Sequence, residues 1–460
     1  MLQDSILEST SDARGSAAAA RWAPLLLVGA LVAAGFALTM LVFYPGYMTI
    51  DATYIHTYIE GWHYGDWQSP VMSVLWALID PIAPGSASMF LLIATLYWLA
   101  FAVLALAIAR RSLWLGALPP LLALLPPAFA LVGMIWRDVL FAAAWLLAAV
   151  MVFAAADGRA RWRRAAQLLS LVLIAFGVLL RPNAILAAPL LAAHALWPMR
   201  LAWKRLALFY LPAAVLGYAL VQLVYYGVLD ARRENPLHSI MVFDLGGITY
   251  FTGENQFPVS WTPQQSALLY SRNCYDPVRW DTYWTTDPCR FVMQRLERKD
   301  DLIFGTPRLV EAWRRSLMAH PLAYLEHRVT FMWTFLAHTN LTLPLYDSPA
   351  TAPFAKNPYF TALVSLHDTL KNTLLFRPGF WLVLAMGLCA LGWRARNTHV
   401  GAFVAGITGS GIIYVMSFFP VGVATDFRYA YWCVLAVLAA AVPALAAARL
   451  GPASVAAAPK

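Results

Sequence analysis

Acidic side chains are missing from the interior of every long apolar run in this sequence, and charge of either sign is scarce throughout. Lys, Arg, Asp and Glu make up 12% of the 460 residues against 61% hydrophobic ones, with a mean hydropathy of +0.61. That balance excludes an ordinary soluble domain. Ionisable groups at membrane depth are costly and usually mark proton or ion paths, so their absence counts against a proton-coupled transporter. The sequence shows no internal repeat, which counts against an inverted-repeat carrier. It also lacks a GxxxxGK(S/T) phosphate loop and a GxSxG elbow, which excludes the usual nucleotide-using or Ser-nucleophile enzymes. His56, His63, His238 and His320 fall into no metal-ligand spacing, so no metal site is assigned from them. A cleavable leader is not evident either. The N-terminal tail is polar (Asp4, Glu8, Asp12, Arg14), and the apolar stretch from Ala23 to Phe43 is longer than a signal h-region and reads as a first anchor.

What is present is a series of apolar windows, most of them about 17 to 23 residues long, the length that crosses a hydrocarbon core of roughly 30 Å. They fall at 22–43, 86–108, 112–132, 138–156, 165–180, 184–197, 206–228, 376–393, 398–419 and 429–448. The expected fold class is an all-α polytopic membrane protein of about ten to twelve transmembrane helices. The net charge of +9 sits largely in short turns: Arg110 and Arg111; Arg159, Arg161, Arg163 and Arg164; Arg200, Lys204 and Arg205; Arg394 and Arg396. This is the positive-inside pattern, so these turns and both termini are expected on the cytoplasmic side of a bacterial inner membrane. Nucleic acid is not expected as a partner.

Three regions follow: an N-terminal transmembrane module at 1–228 whose first outer loop is 44–85, a large periplasmic region at 229–375, and C-terminal transmembrane helices at 376–460. The middle region is far longer than a simple connection, so it is expected to form a small domain or binding structure. It contains Cys274 and Cys289, which an oxidising periplasm permits to pair, whereas Cys389 and Cys433 lie in apolar windows. The stretch 320–345 reads either as an interfacial helix or as an extra span. A tight hairpin is expected at Arg181-Pro182-Asn183, where proline ends one helix and can start the next.

On that topology Asp51, Asp66, Arg137, Asp138, Arg181, Asn183, Asp426 and Arg428 all fall at the outer boundary. Asp51 follows the first span and precedes apolar and aromatic residues at helical spacing (Tyr54, Ile55, Tyr58, Ile59, Trp62). It has two readings: a general base acting on a lipid-borne substrate, or an N-cap for that helix. Asp66 and Trp67 have two as well, a polar shelf with a stacking ring for a sugar, or a helix-capping loop within an aromatic belt. Arg137, Arg181 and Arg428 suit a lipid phosphate through their fork of donors, with Arg181 and Arg428 the favoured pair. Arg137 can instead snorkel while Asp138 caps a helix, and Asp426 can pair locally with Arg428 while capping the last helix.

These elements together resemble the GT-C superfamily, the polytopic glycosyltransferases that use polyprenyl-phosphate sugars, especially the protein mannosyltransferase and aminoarabinose transferase branch. The likeness rests on Asp51 in the first outer loop, on Asp66-Trp67-Gln68-Ser69-Pro70-Val71-Met72, on Trp136-Arg137-Asp138-Val139-Leu140, on Leu180-Arg181-Pro182-Asn183 and on Asp426-Phe427-Arg428-Tyr429. Two features depart from the pattern: Ala52 stands beside Asp51 where many relatives have a second acid, and the HPP or KPP element reads Gln68-Ser69-Pro70. The resemblance implies an inverting transfer with Asp51 as base. The substrate-binding set would be Asp66, Arg137, Asp138, Arg181, Asn183, Asp426, Arg428, Tyr54 and Trp67. The partners would be a polyprenyl-phosphate sugar, a glycan, lipid or protein acceptor, and the bilayer. No nucleotide is needed and no cofactor is assigned, and a divalent metal stays open. The competing expectations are a flippase for lipid-linked sugars and a non-enzymatic envelope assembly subunit.

Overall fold

The computed structural model describes Trp22 and residues 25–61, 63–285, 287–298, 302–338, 341, 343 and 349–450. The polar N-terminal tail, both chain termini, Trp62 and much of 339–348 lie outside the described residues. No β-strand occurs among those described; three isolated backbone bridges join Tyr47 to Met134, Gly65 to Arg232 and Arg279 to Ala424.

Among the described residues seven helices are long and apolar enough to cross a membrane: α1 (Leu25–Phe43), α4 (Ser86–Ala109), α7 (Arg137–Ala155), α8 (Ala160–Leu180), α10 (Trp203–Gln222, continued to Val228 by a π turn), α18 (His399–Val421) and α19 (Tyr431–Leu450, entered through a 3-10 turn at Phe427–Ala430). α2 (Ile50–Gly61) and α3 (Pro70–Ile79) form the first loop. The chain is therefore an all-helical, multi-pass membrane protein. The expected ten spans differ from this at three places, each with a local cause. The window 112–132 breaks into α5 (Leu113–Leu122) and α6 (Pro126–Val132), bent by 58°, because Pro126 and Pro127 have no N–H to continue the ladder. Residues 184–197 fold as a 3-10 turn (Pro182–Leu186) and the nine-residue α9 (Ala188–Leu196). At 376–393 stands the 17-residue α17 (Pro378–Arg394).

α7 is buried along nearly all its length and packs against α4, α8, α18 and α19. α18 brings small residues to these contacts. At Gly409 a Cβ would sit 2.4 Å from Leu190 Cδ2, so the absent side chain sets how closely α9 approaches, as small residues do between membrane helices. α10 instead turns Leu208, Leu211, Val215 and Leu216 outward, the surface that hydrocarbon requires when no neighbouring helix covers it. The Arg-rich turns gather at one end: Arg111 pairs with Asp157 at 3.1 Å, and Leu201 N donates to Arg396 O at 3.0 Å. α7 carries Arg137 and Asp138 at its other end.

The region 229–375 contributes α11 (Leu237–Thr252), α12 (Pro263–Leu269), α13 (Phe291–Leu296), α14 (Pro307–Ala319), α15 (Pro321–Ala337) and α16 (Pro358–Leu370). Cys274 and Cys289 are disulfide-bonded, while Cys389 and Cys433 are free. α15 is not among the helices long and apolar enough to span; it turns Leu322, Leu325, Val329 and Trp333 outward and buries charge on its inner face. Arg328 on α15 and Asp244 on α11 are both 0% exposed and pair at 2.5 Å. Trp313 Nε1 donates to the same carboxylate at 2.7 Å, and Arg328 Nη1 donates to Gly422 O at 2.6 Å. Removing one partner of a buried pair strands the other charge, whereas replacing both with apolar groups is far better tolerated. Asp244→Ala should therefore cost about 3–5 kcal/mol, read as a large drop in thermal stability in detergent. Asp244→Ala combined with Arg328→Met should recover most of the loss; equal loss in both proteins would rule the pair out as the cause.

Candidate functional site

The site forms where four separate chain segments end at one level. α2 starts at Ile50, and its N-terminal donor is satisfied by Thr49, whose Oγ1 accepts from Ala52 N at 3.4 Å and from Trp136 Nε1 at 2.8 Å. Thr49 does the capping, which leaves the Asp51 carboxylate free of the helix backbone; the capping alternative for Asp51 therefore does not hold. Asp51 turns toward the other end of the sequence. Arg428 Nη1 donates to Asp51 Oδ2 at 2.6 Å, and Gln68 Nε2 donates to Asp51 Oδ1 at 3.2 Å. Arg428 is further held by Asp426, whose Oδ2 lies 3.1 Å from Nε and whose Oδ1 accepts from Arg428 N at 3.0 Å. The local pair and the helix cap expected of Asp426 both occur.

Beside them, Arg181 Nε donates to Asp138 Oδ1 at 2.6 Å. The Arg181 guanidinium lies over the Tyr429 ring at 4.9 Å, and that of Arg428 over Trp136 at 4.5 Å. Asp51, Ile55, Gln68, Trp136, Arg137, Asp138, Arg181, Arg428 and Tyr429 line one cavity. Three guanidiniums face two carboxylates there. Arg137 differs from the other two: among the described residues it has no carboxylate ion pair, and its Nη1 donates to Trp67 O at 3.2 Å.

The remaining candidates lie outside that lining. Asp66 accepts from Glu234 N at 2.6 Å and from Tyr226 OH at 2.7 Å, so it fastens the first loop to the start of the 229–375 region. Tyr54 OH donates to Glu234 Oε1 at 3.4 Å. Ser69, not Asp66, caps α3. Asn183 lies in the 3-10 turn that follows α8, and Trp67 borders the cavity next to Gln68. The sequence assigned no role to Gln68 as a partner of Asp51, to Trp136 and Tyr429 as ring platforms, or to Asp281. Gln68, Trp136 and Tyr429 stood inside the quoted motifs, whereas Asp281 carried no signal.

Burial raises the Asp51 pKa, but Arg428, helped by Arg137 and Arg181, overcomes it and holds the carboxyl below its ordinary 3.8. Asp426 goes the other way, because burial raises it more than Arg428 lowers it. The donor set does not suit a divalent cation. Each carboxylate lining the cavity is already neutralised by a guanidinium, a third guanidinium adds repulsion, and among the described residues no group of three or more His, Cys, Asp or Glu is placed to hold a metal.

Comparison with known proteins adds a distant likeness. No protein-family model matches the chain, and no curated protein matches it in sequence. Among solved structures it is similar to the Archaeoglobus fulgidus oligosaccharyltransferase. For the zinc and sulfate complex the identity is 13% and the TM-score 0.37, covering 91% of this chain and 49% of that one. For the form tethered to an acceptor peptide the values are 13% and 0.39, over 94% and 50%; for the apo form they are 14% and 0.37, over 92% and 51%. The chain thus spans about half the length of the structures it matches.

A carboxyl whose folded pKa is depressed contributes stability that is complete above its unfolded value and is lost as pH falls through the lower folded one. Asp51 should therefore stabilise the protein by a constant amount from pH 7 down to about 4, and only below that should wild type and Asp51→Asn converge. Melting curves of the two proteins across pH 3–7 check this; a stability difference that titrates near pH 6 would contradict the pairing.

Proposed function

We propose that the protein is an inverting glycosyltransferase that moves a sugar from a polyprenyl-phosphate donor to a glycan, lipid or protein acceptor at the periplasmic face of a bacterial inner membrane. The observation that carries this reading is the pairing, in one cavity, of a partly exposed carboxylate with an excess of guanidinium charge. A transfer from a sugar phosphate needs both: an acceptor for the hydroxyl proton and a counter-charge for the leaving phosphate. The resemblance of the five motifs to polyprenyl-phosphate-sugar enzymes supports it.

In this mechanism the acceptor hydroxyl approaches Asp51, and its oxygen attacks the anomeric carbon from the side opposite the phosphate. The new C–O bond forms as the bond to the phosphate oxygen breaks, the configuration inverts, and the hydroxyl proton passes to Asp51 and on to water. The electron pair of the broken bond leaves on the polyprenyl phosphate. Arg428 keeps Asp51 charged but makes it a weak base, so the proton moves late, when bond formation has made the hydroxyl acidic. Arg181 and Arg428 are both committed to carboxylates, so direct phosphate contact falls first to Arg137, whose planar fork has donors to spare. Arg181 and Asp138 hold the floor of the cavity in place.

Asp51→Asn, expressed at wild-type abundance in a strain lacking its own copy, should abolish the transfer, seen by mass spectrometry as loss of one sugar mass from the envelope glycans. Unchanged glycans would reject the mechanism. Arg137→Ala should slow transfer by about 10²–10³, the usual effect of removing one charge-stabilising donor; in the same assay, a tenfold larger loss for Arg181→Ala than for Arg137→Ala would move the phosphate contact to Arg181.

A further inference from the structure

Next to Arg137 the structure places a group of three indoles that the charged cavity does not account for. The ring centroids of Trp67 and Trp280 are 6.0 Å apart, those of Trp67 and Trp284 6.4 Å, and those of Trp280 and Trp284 6.1 Å. The three meet from two distant loops, and hydrogen bonds fix both loops. Trp67 N donates to Glu234 Oε2 at 3.1 Å, and its carbonyl accepts from Arg137. Trp280 N donates to Val423 O at 2.9 Å, and its ring is buried. Trp284, at the far side of the turn Trp280–Tyr283, remains 45% exposed. Two of the rings thus stand behind a third that remains open to solvent.

Asp281 lies within the same turn, half-buried, and interacts electrostatically with both Asp51 and Arg428. That brings a further carboxylate, beyond the two that line the cavity, to the turn that carries the exposed indole. A flat apolar ring with an oxygen acceptor in the same turn matches the chemistry of a sugar ring, which offers a C–H face for stacking and hydroxyls around its rim.

We propose that Trp67, Trp280 and Trp284 form the wall against which the sugar ring of the donor stacks, with Asp281 accepting one of its hydroxyls. This rests on the transferase reading given above, since Arg137 would hold the phosphate to which that sugar is attached. The hydrogen bond from Arg137 to the Trp67 carbonyl fixes the wall beside the phosphate position, so the first sugar is the one that meets it. Substrate choice then lies in the 280–284 turn, away from the Asp51–Arg428 pair, and the chemistry of transfer is separate from the selection of the sugar.

Saturation-transfer NMR on the full-length protein in detergent tests this, with glucose, mannose and galactose 1-phosphates and the corresponding methyl glycosides as probes. At least one sugar 1-phosphate should receive saturation at its ring protons and bind more tightly than its methyl glycoside. Trp284→Ala should weaken it about two- to tenfold, the range of an aromatic contact, and Trp284→Phe should recover part of the loss at unchanged thermal stability. Arg137→Ala should remove the advantage of the phosphate. Unchanged binding in Trp284→Ala, or no binding of any probe to wild type, overturns the wall. Methyl glycosides that bind equally well and ignore Arg137→Ala overturn the donor assignment and make the wall an acceptor subsite. The two readings fail separately: weakened binding in Trp284→Ala with intact glycans in Asp51→Asn rejects the transferase chemistry and leaves the sugar wall standing.

Discussion

The ion pair between Asp51 and Arg428 joins side chains 377 positions apart, and the geometry of the whole site follows from it. It ties the first turn of α2 to the 3-10 turn that opens α19, so the first and last parts of the bundle close over the same space. A half-exposed carboxylate in water would be free to rotate. Here Gln68 and Arg428 hold one oxygen each, and the Trp136 ring under the guanidinium restricts the arginine as well. The result is a fixed negative charge inside a positively charged rim. Such preorganised charge suits chemistry in which negative charge moves from one group to another.

The position of Arg428 depends in turn on the region between α10 and α17. The segment from Gly422 to Asp426 has few helical contacts of its own. It is held by Trp280 N on Val423 O at 2.9 Å and by its own Thr425 N on Val278 O at 2.9 Å, and at its start by Arg328 on Gly422 O. Gly422 is required there, because a Cβ would fall 2.4 Å from the Phe331 ring. The disulfide between Cys274 and Cys289 closes the loop that carries Val278 and Trp280. The 229–375 region is thus part of the apparatus that aims Arg428, and the buried Asp244–Arg328 pair is the post on which that apparatus rests.

Much of this was legible in the chain, for identifiable reasons. Apolar windows of spanning length predict membrane helices because the bilayer leaves the backbone no other way to satisfy its polar groups. The windows that misled contain proline or are short: Pro126 and Pro127 break the third, and the sixth becomes a 3-10 turn and a nine-residue helix. Asp51, Arg137, Asp138, Arg181 and Arg428 were visible because each interrupts or ends an apolar run. The same rule picked out Asp66, which fastens the first loop to Glu234 and Tyr226, and Asn183, which lies outside the cavity lining. Asp244 and Arg328 escaped notice because they lie in a region of mixed composition, where a lone acid or arginine carries no pattern.

Composition and periodicity by themselves determined that this is a multi-pass helical membrane protein whose polar residues collect at span boundaries, since burial in hydrocarbon dictates which residues a span can hold. Tertiary structure alone decided which of those boundary residues meet. Whether Asp51 capped a helix or faced a cavity turned on Thr49 reaching the helix N–H first, and on an arginine nearly four hundred residues away arriving at hydrogen-bond distance. The pairing of charges also made Arg137, and not its two neighbours, the arginine with donors to spare. No linear pattern encodes such an outcome, because an ion pair is fixed by distances of a few ångströms between segments that only the folded bundle brings together.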